Sequence, residues 1–262
     1  MKSATYVWLT VANPAGSDPD QTPDGLVCTR PLATLVTLGV TALIMWGLKR
    51  YYADAPVDDL GWILAPTAKL TTVVTGVAFE YQAGEGYLSR ERLFLIAKAC
   101  AGINFMIAAF GMTAWLGRRR ATSALAAADV IVLSLVVSYA AAIVVNAARI
   151  SAALWLGAHH VEAAWLTPGQ FHRVEGIVFY FGGLLVLYDI VRRFEAGDRP
   201  GVPMAPLICY YAMTIAVPIA NGSYGRPGFA GHLAVVFLLP LAWMAVLTAG
   251  RLLMARLKSS TP

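Results

Sequence analysis

The apolar positions of this chain gather into stretches of roughly 17 to 25 residues, the length a helix needs to cross the hydrocarbon core of a bilayer. About seven such stretches can be marked, beginning near Pro31, Leu60, Leu93, Thr122, His172, Ala205 and His232. The polar segments between them are short. The pattern therefore predicts one all-α, polytopic transmembrane helical bundle over residues 31–258, with no sizeable soluble domain. Residues 1–30, rich in Pro, Asp and Gly, read as a loosely structured arm. Within that arm, the run Tyr6 to Ala12 is too short and too weakly apolar for a secretory signal.

Composition agrees with the pattern. Of 262 residues, 58% are hydrophobic and 13% charged, and the mean hydropathy is +0.63, outside the range of soluble domains. In such a chain a net charge of +5 reads as membrane topology, not as nucleic-acid binding. Cys28, Cys100 and Cys209 stand far apart, without the paired spacing of a disulfide framework or a zinc site. No cofactor is expected.

Lys and Arg beside membrane-spanning ends mark the cytoplasmic face. Arg118-Arg119-Arg120 is the strongest such marker and puts the end of the third expected helix inside. Lys49-Arg50, Arg192-Arg193 and the group Arg251, Arg256 and Lys258 complete an alternating scheme with an exterior N-terminus and an interior C-terminus. Asp18, Asp20 and Asp24 then lie outside, as do loops near residues 80–92, 146–171 and 221–231.

Under this scheme three reactive residue types converge on the exterior leaflet. Cys100 is expected about seven residues into a helix starting at Leu93, roughly 10 Å below its outer end. Arg149 follows the apolar run Val130 to Val145, and His172 opens the fifth helix after the start signal Thr167-Pro168-Gly169-Gln170. A cysteine is a useful nucleophile when a cation or base stabilises its thiolate. Arg keeps its proton and can steady negative charge, whereas His can carry a proton. Each residue also has a plain structural reading: a small apolar side chain for Cys100, a snorkelling charge for Arg149 and a helix cap for His172. Their conjunction at membrane depth favours the functional one. His159-His160 with Glu162 lacks the spacing of a metal motif, and no metal site is expected. Asp129 and Asp189 are expected to pair structurally in the cytoplasmic halves of their helices. Lys69, after Pro66, marks a re-entrant kink, or a charge facing a cavity or snorkelling.

Four pieces of sequence, in order, resemble the exosortase/archaeosortase family of multi-pass membrane cysteine enzymes, most closely its exosortase K branch. They are Leu64-Ala65-Pro66-Thr67-Ala68, Ala99-Cys100-Ala101-Gly102-Ile103-Asn104-Phe105, Asn146-Ala147-Ala148-Arg149-Ile150 and Phe171-His172-Arg173-Val174-Glu175-Gly176. The resemblance covers about residues 40–190 and lies in the ordered set more than in any one motif. It implies Cys100 as nucleophile, Arg149 as the family's arginine and His172 as the third catalytic position. It further implies cleavage of C-terminal sorting signals through a thioester, in a prokaryotic cytoplasmic membrane with the site facing outward. Substrate proteins would carry a short motif, a transmembrane helix and a basic tail; membrane lipid would be the other partner and nucleic acid none. The family's usual count of about eight helices stands beside the seven read here. The competing reading is a small transporter with Lys69, Arg149 and His172 along a solute path, and a third is a noncatalytic scaffold for envelope polymers. Against transport, the chain has no evident two-half repeat.

Overall fold

The computed structural model describes residues 24–159, 168–195, 204–222, 225 and 228–259. Among these, five helices are long and apolar enough to cross a membrane: Pro31–Asp54, Lys98–Arg120, Ala124–Ala158, Phe171–Phe194 and Phe229–Gly250. They belong to α1 (Asp24–Asp54), α3 (Ile103–Gly117) with its flanking turns, α4 (Ala124–Ala158), α5 (Pro168–Glu195) and α8 (Phe229–Ser259). A shorter apolar unit is built from α6 (Met204–Tyr211), a π turn (Ala212–Ala216) and α7 (Val217–Ala220). The chain is a helical bundle of a multi-pass membrane protein.

α3 is the hub. Inside the bundle 67% of its apolar window is buried, against 11–28% for the other four spans, because α1, α4, α5 and α6 all pack on it. Small residues allow the close approach. A Cβ on Gly111 would stand 2.9 Å from the Met45 sulfur of α1, and one on Gly183 of α5 would stand 2.8 Å from Val145 of α4. Packing of this kind, not a hydrophobic force, holds helices together in lipid.

Two features depart from the sequence reading. The stretch from Leu60 forms α2 (Gly61–Thr75), and α2 does not cross the bundle. Lys98 Nζ donates to the carbonyls of Ala53 (3.1 Å) and Ala55 (2.6 Å), so residues 55–97 leave and return at one place. A single 15-residue helix, about 22 Å long, cannot span and return. Instead it lies against α4, where Trp62 stacks on Tyr139 and the Tyr139 hydroxyl donates to the Trp62 carbonyl at 2.7 Å. The expected count of seven or eight crossings therefore loses this member.

The second departure is a small antiparallel sheet, β1 (Glu80–Gln82), β2 (Gly86–Ser89) and β3 (Phe94–Ile96), in that order, where loop and helix were expected. Its first turn is tied down by Asp58, which accepts from the Tyr81 hydroxyl and the Gly84 amide, both at 2.9 Å. This bond raises the Tyr81 pKa above its ordinary value. Gly86 has a φ of 121°, and a Cβ there would run into the Ile96 carbonyl. Together α2 and the sheet cap one end of the bundle.

Loss of the second crossing reverses the polarity of α1. α1 runs antiparallel to α3, with Met45 on Gly111 and the Lys49 ammonium donating to Asn104 Oδ1 at 2.7 Å, and it touches the Arg118–Arg120 turn. It therefore starts at the arginine-triplet end and finishes at the Cys100 end. Lys49-Arg50 lies on the face opposite the triplet, and the expected exterior N-terminus is overturned relative to that marker. Arg192-Arg193 does share the triplet's end, since Arg120 donates to the Phe194 carbonyl at 2.8 Å. α1 also begins at Asp24, seven residues ahead of the boundary expected at Pro31; the remainder of the expected arm lies outside the described residues.

Candidate active site

Cys100 is not inside a helix. It closes a 3-10 turn (Lys98–Cys100) between β3 and α3, and Gly102, with a φ of 71°, starts α3 two residues later. A helix from Leu93 is blocked by that left-handed residue and by the extended pairing of Phe94 to Ile96 with β2. The turn is held by Cys100 N–H to Ala97 (2.8 Å) and Ala101 N–H to Lys98 (3.0 Å), leaving the thiol half-buried and free.

α4 presents Asn146 and Arg149 three residues apart on one buried face. Asn146 donates from Nδ2 to the Cys100 carbonyl and accepts at Oδ1 from the Tyr180 hydroxyl, at 3.1 Å. Gly102 makes room for this: a Cβ there would stand 3.3 Å from the Asn146 amide carbon. Tyr180, on α5, in turn accepts from Arg149 Nη1 at 3.0 Å and packs on Phe105 of α3. The second terminal nitrogen of Arg149 reaches His172 Nε2 at 2.6 Å. His172 Nδ1 lies 3.3 Å from Glu175 Oε2, one turn along α5.

One unbroken series thus joins the Cys100 carbonyl, Asn146, Tyr180, Arg149, His172 and Glu175 across one turn and two helices. Cys100, Arg149 and His172 are brought together at one end of the bundle. Donor chemistry settles the His172 tautomer. A guanidinium only donates, so Nε2 must accept, which leaves the proton on Nδ1 facing the Glu175 carboxylate. Arg149 and Glu175 are 6% and 7% exposed, and Arg149 Nε and Glu175 Oε1 are buried without a hydrogen-bond partner among the described residues. The buried guanidinium and carboxyl group, bridged by the imidazole, leave one donor and one acceptor unpaired among the described residues.

Asn146, Tyr180 and Glu175 carry no role in the sequence reading. Two signals pointed to them: the three-residue spacing from Asn146 to Arg149 and from His172 to Glu175. Tyr180, inside an apolar run, had none. Lys69, placed with Arg149 and His172 in the transport reading, is exposed on α2. His159 stacks on Trp155 and faces its carbonyl at 2.8 Å; His160 and Glu162 lie outside the described residues. Asp189 pairs with Arg193 (2.7 Å) and Arg192 (3.4 Å) at the opposite end, as a structural group. Asp129 is exposed on α4.

Fold and site together define a multi-pass helical membrane protein with a buried polar network at one end of its bundle. No family model, curated protein or solved structure matches the chain.

Proposed function

We propose that the chain is a membrane-embedded cysteine peptidase or transpeptidase of the exosortase type, cutting C-terminal sorting signals of surface or secreted proteins. The observation that carries this reading is the hydrogen-bonded series from the Cys100 turn to Glu175, which sets a free thiol, a buried guanidinium and an oriented imidazole at one end of the bundle. Peptide-bond cleavage by a thiol needs these three kinds of group.

A substrate carbonyl entering between Cys100 and Arg149 draws the guanidinium away from His172 Nε2. The freed nitrogen takes the thiol proton, and the thiolate sulfur bonds to the carbonyl carbon. Arg149 then stabilises the oxyanion, while Glu175 steadies the imidazolium through Nδ1–H. As the C–N bond breaks, Nε2–H protonates the leaving amine and a thioester remains. In the second half Nε2 takes a proton from water or an amine acceptor, which attacks the thioester, and the proton passes to the departing sulfur. The site faces outward from a prokaryotic cytoplasmic membrane, with the Arg118–Arg120 end inside. The substrate's own transmembrane helix and basic tail hold its motif at that height.

The test is co-expression with a tagged protein that ends in a short motif, an apolar helix and a basic tail. Wild type releases the C-terminal tag, and Cys100→Ala retains it. Equal processing by Cys100→Ala overturns the reading.

A further inference from the structure

The two edges of the cap sheet are unlike. β1 is guarded: Glu80 pairs with Arg90 at 3.4 Å, and the Tyr81 hydroxyl is anchored on Asp58. β3, the other edge, carries none of the charges, prolines or bulges that usually protect an edge strand. Leu93, at its start, is 88% exposed with a φ of 51°, a conformation costly for a leucine, and Leu95 is 37% exposed. Among the described residues, no backbone or side-chain group pairs with the outer side of β3.

The register tells which groups face outward. Ile96 pairs with Tyr87, Leu95 with Leu88 and Phe94 with Ser89. The Ile96 carbonyl is turned toward β2, where it crowds the position of a Gly86 Cβ. In an antiparallel pair inward and outward residues alternate, so the N–H and C=O of Leu95 point to the open edge. Ala97 continues the extended path (φ −90°, ψ −179°), and Cys100 follows three residues later. Leu95 is five residues from the nucleophile, at most roughly 17 Å along the chain.

We propose that β3 is the peptide-binding edge of the site: an extended polypeptide segment adds to it as a fourth strand, pairing with the Leu95 N–H and C=O and running to Cys100. This inference rests on the peptidase reading and names how its substrate is held. Backbone pairing selects an extended chain before any side chain is read, and the exposed Leu93 and Leu95 supply apolar contact for alternate residues.

The probe is a mixture of biotinylated pentapeptide vinyl sulfones of randomised sequence, whose β-carbon is attacked by the Cys100 sulfur. A matched mixture has alternate backbone amides N-methylated. Purified wild type labels about tenfold faster with the unmethylated mixture, the size expected for losing a pair of hydrogen bonds. Leu95→Pro removes only an outward N–H, which an edge strand tolerates, and it abolishes that preference. Leu95→Ala, which keeps the N–H, preserves it. Iodoacetamide labels Cys100 equally in all three proteins, showing an intact turn. A methylation preference that survives in Leu95→Pro overturns strand pairing and leaves the peptidase reading standing. If iodoacetamide reacts but no peptide probe does, both fall.

Discussion

Both ends of the bundle hold arginines next to carboxylates, yet they are built on opposite terms. At the Arg118–Arg120 end the Asp189 pairs lie within one helix, three and four residues apart, and Arg193 is 72% exposed. The exposed Arg193–Asp189 pair contributes about 0–1 kcal/mol. At the Cys100 end Arg149 is buried, its bonds run to α5 and Glu175 is reached only through His172. Removing one partner from a buried charge network costs about 3–5 kcal/mol, because the remaining charge is left without compensation. A bundle that needs only a topological marker can use the first arrangement. The second costs stability whatever the site does, and this difference between the ends is what supports the proposed chemistry at Cys100.

The comparison breaks most directly if the two ends are not on opposite sides of the membrane. Single cysteines at Arg50, Asn221 and Arg119, in a chain with its native cysteines replaced by alanine, test this with an impermeant maleimide on intact cells. Positions 50 and 221 share the site end, where Lys49, Arg50 and Asn221 line a common cleft, and both label from outside. Position 119 labels only after lysis. This is an all-or-none result, and labelling of 50 and 119 from the same side would refute the antiparallel pairing of α1 with α3.

The same comparison shows what could be read from sequence. Cys100, Arg149 and His172 were legible because an ionisable or nucleophilic residue is conspicuous in an apolar run. α2 was misread because the apolar surface that packs it on α4 is of the same kind that a lipid-buried helix presents; what rules out a crossing is the return of the chain to one place at Ala53, Ala55 and Lys98, which the sequence does not show. Phe94-Leu95-Ile96 was absorbed into α3 for a related reason, since three apolar residues carry no period that tells strand from helix. Lys49-Arg50 misled because the positive-inside rule weighs clusters statistically. Here Lys49 is engaged by Asn104 and Arg50 by Asp54 at 3.7 Å. Tyr180 was illegible because its role depends on Asn146 and Arg149 of another helix.

A smaller but more diagnostic effect follows from exchanging the cation's shape at each end. Arg149 uses two diverging nitrogens, one for Tyr180 and one for His172. A lysine has a single ammonium on a flexible stem and cannot hold that fork. Arg149→Lys is expected to reduce tag release by about a hundredfold or more, the scale of losing an oxyanion donor. Arg193→Lys is expected to stay within about twofold, since an exposed pair needs only charge. Equal losses would mean that the buried geometry carries no catalytic weight.

The smallest effect bears on the basic end alone. Asp189→Asn removes the charge that both Arg192 and Arg193 approach, while keeping the side chain's shape. If these contacts are the topological and structural group inferred here, the detergent-purified variant melts within about 2–4 °C of wild type. Processing of the tagged substrate is then unchanged. A larger fall in melting temperature with intact processing would make this end a stabilising network instead. Lost processing at unchanged stability would couple the two ends through α5, the helix that carries Asp189, Tyr180, Glu175 and His172. That outcome would end the division of labour between the two ends on which the functional argument rests.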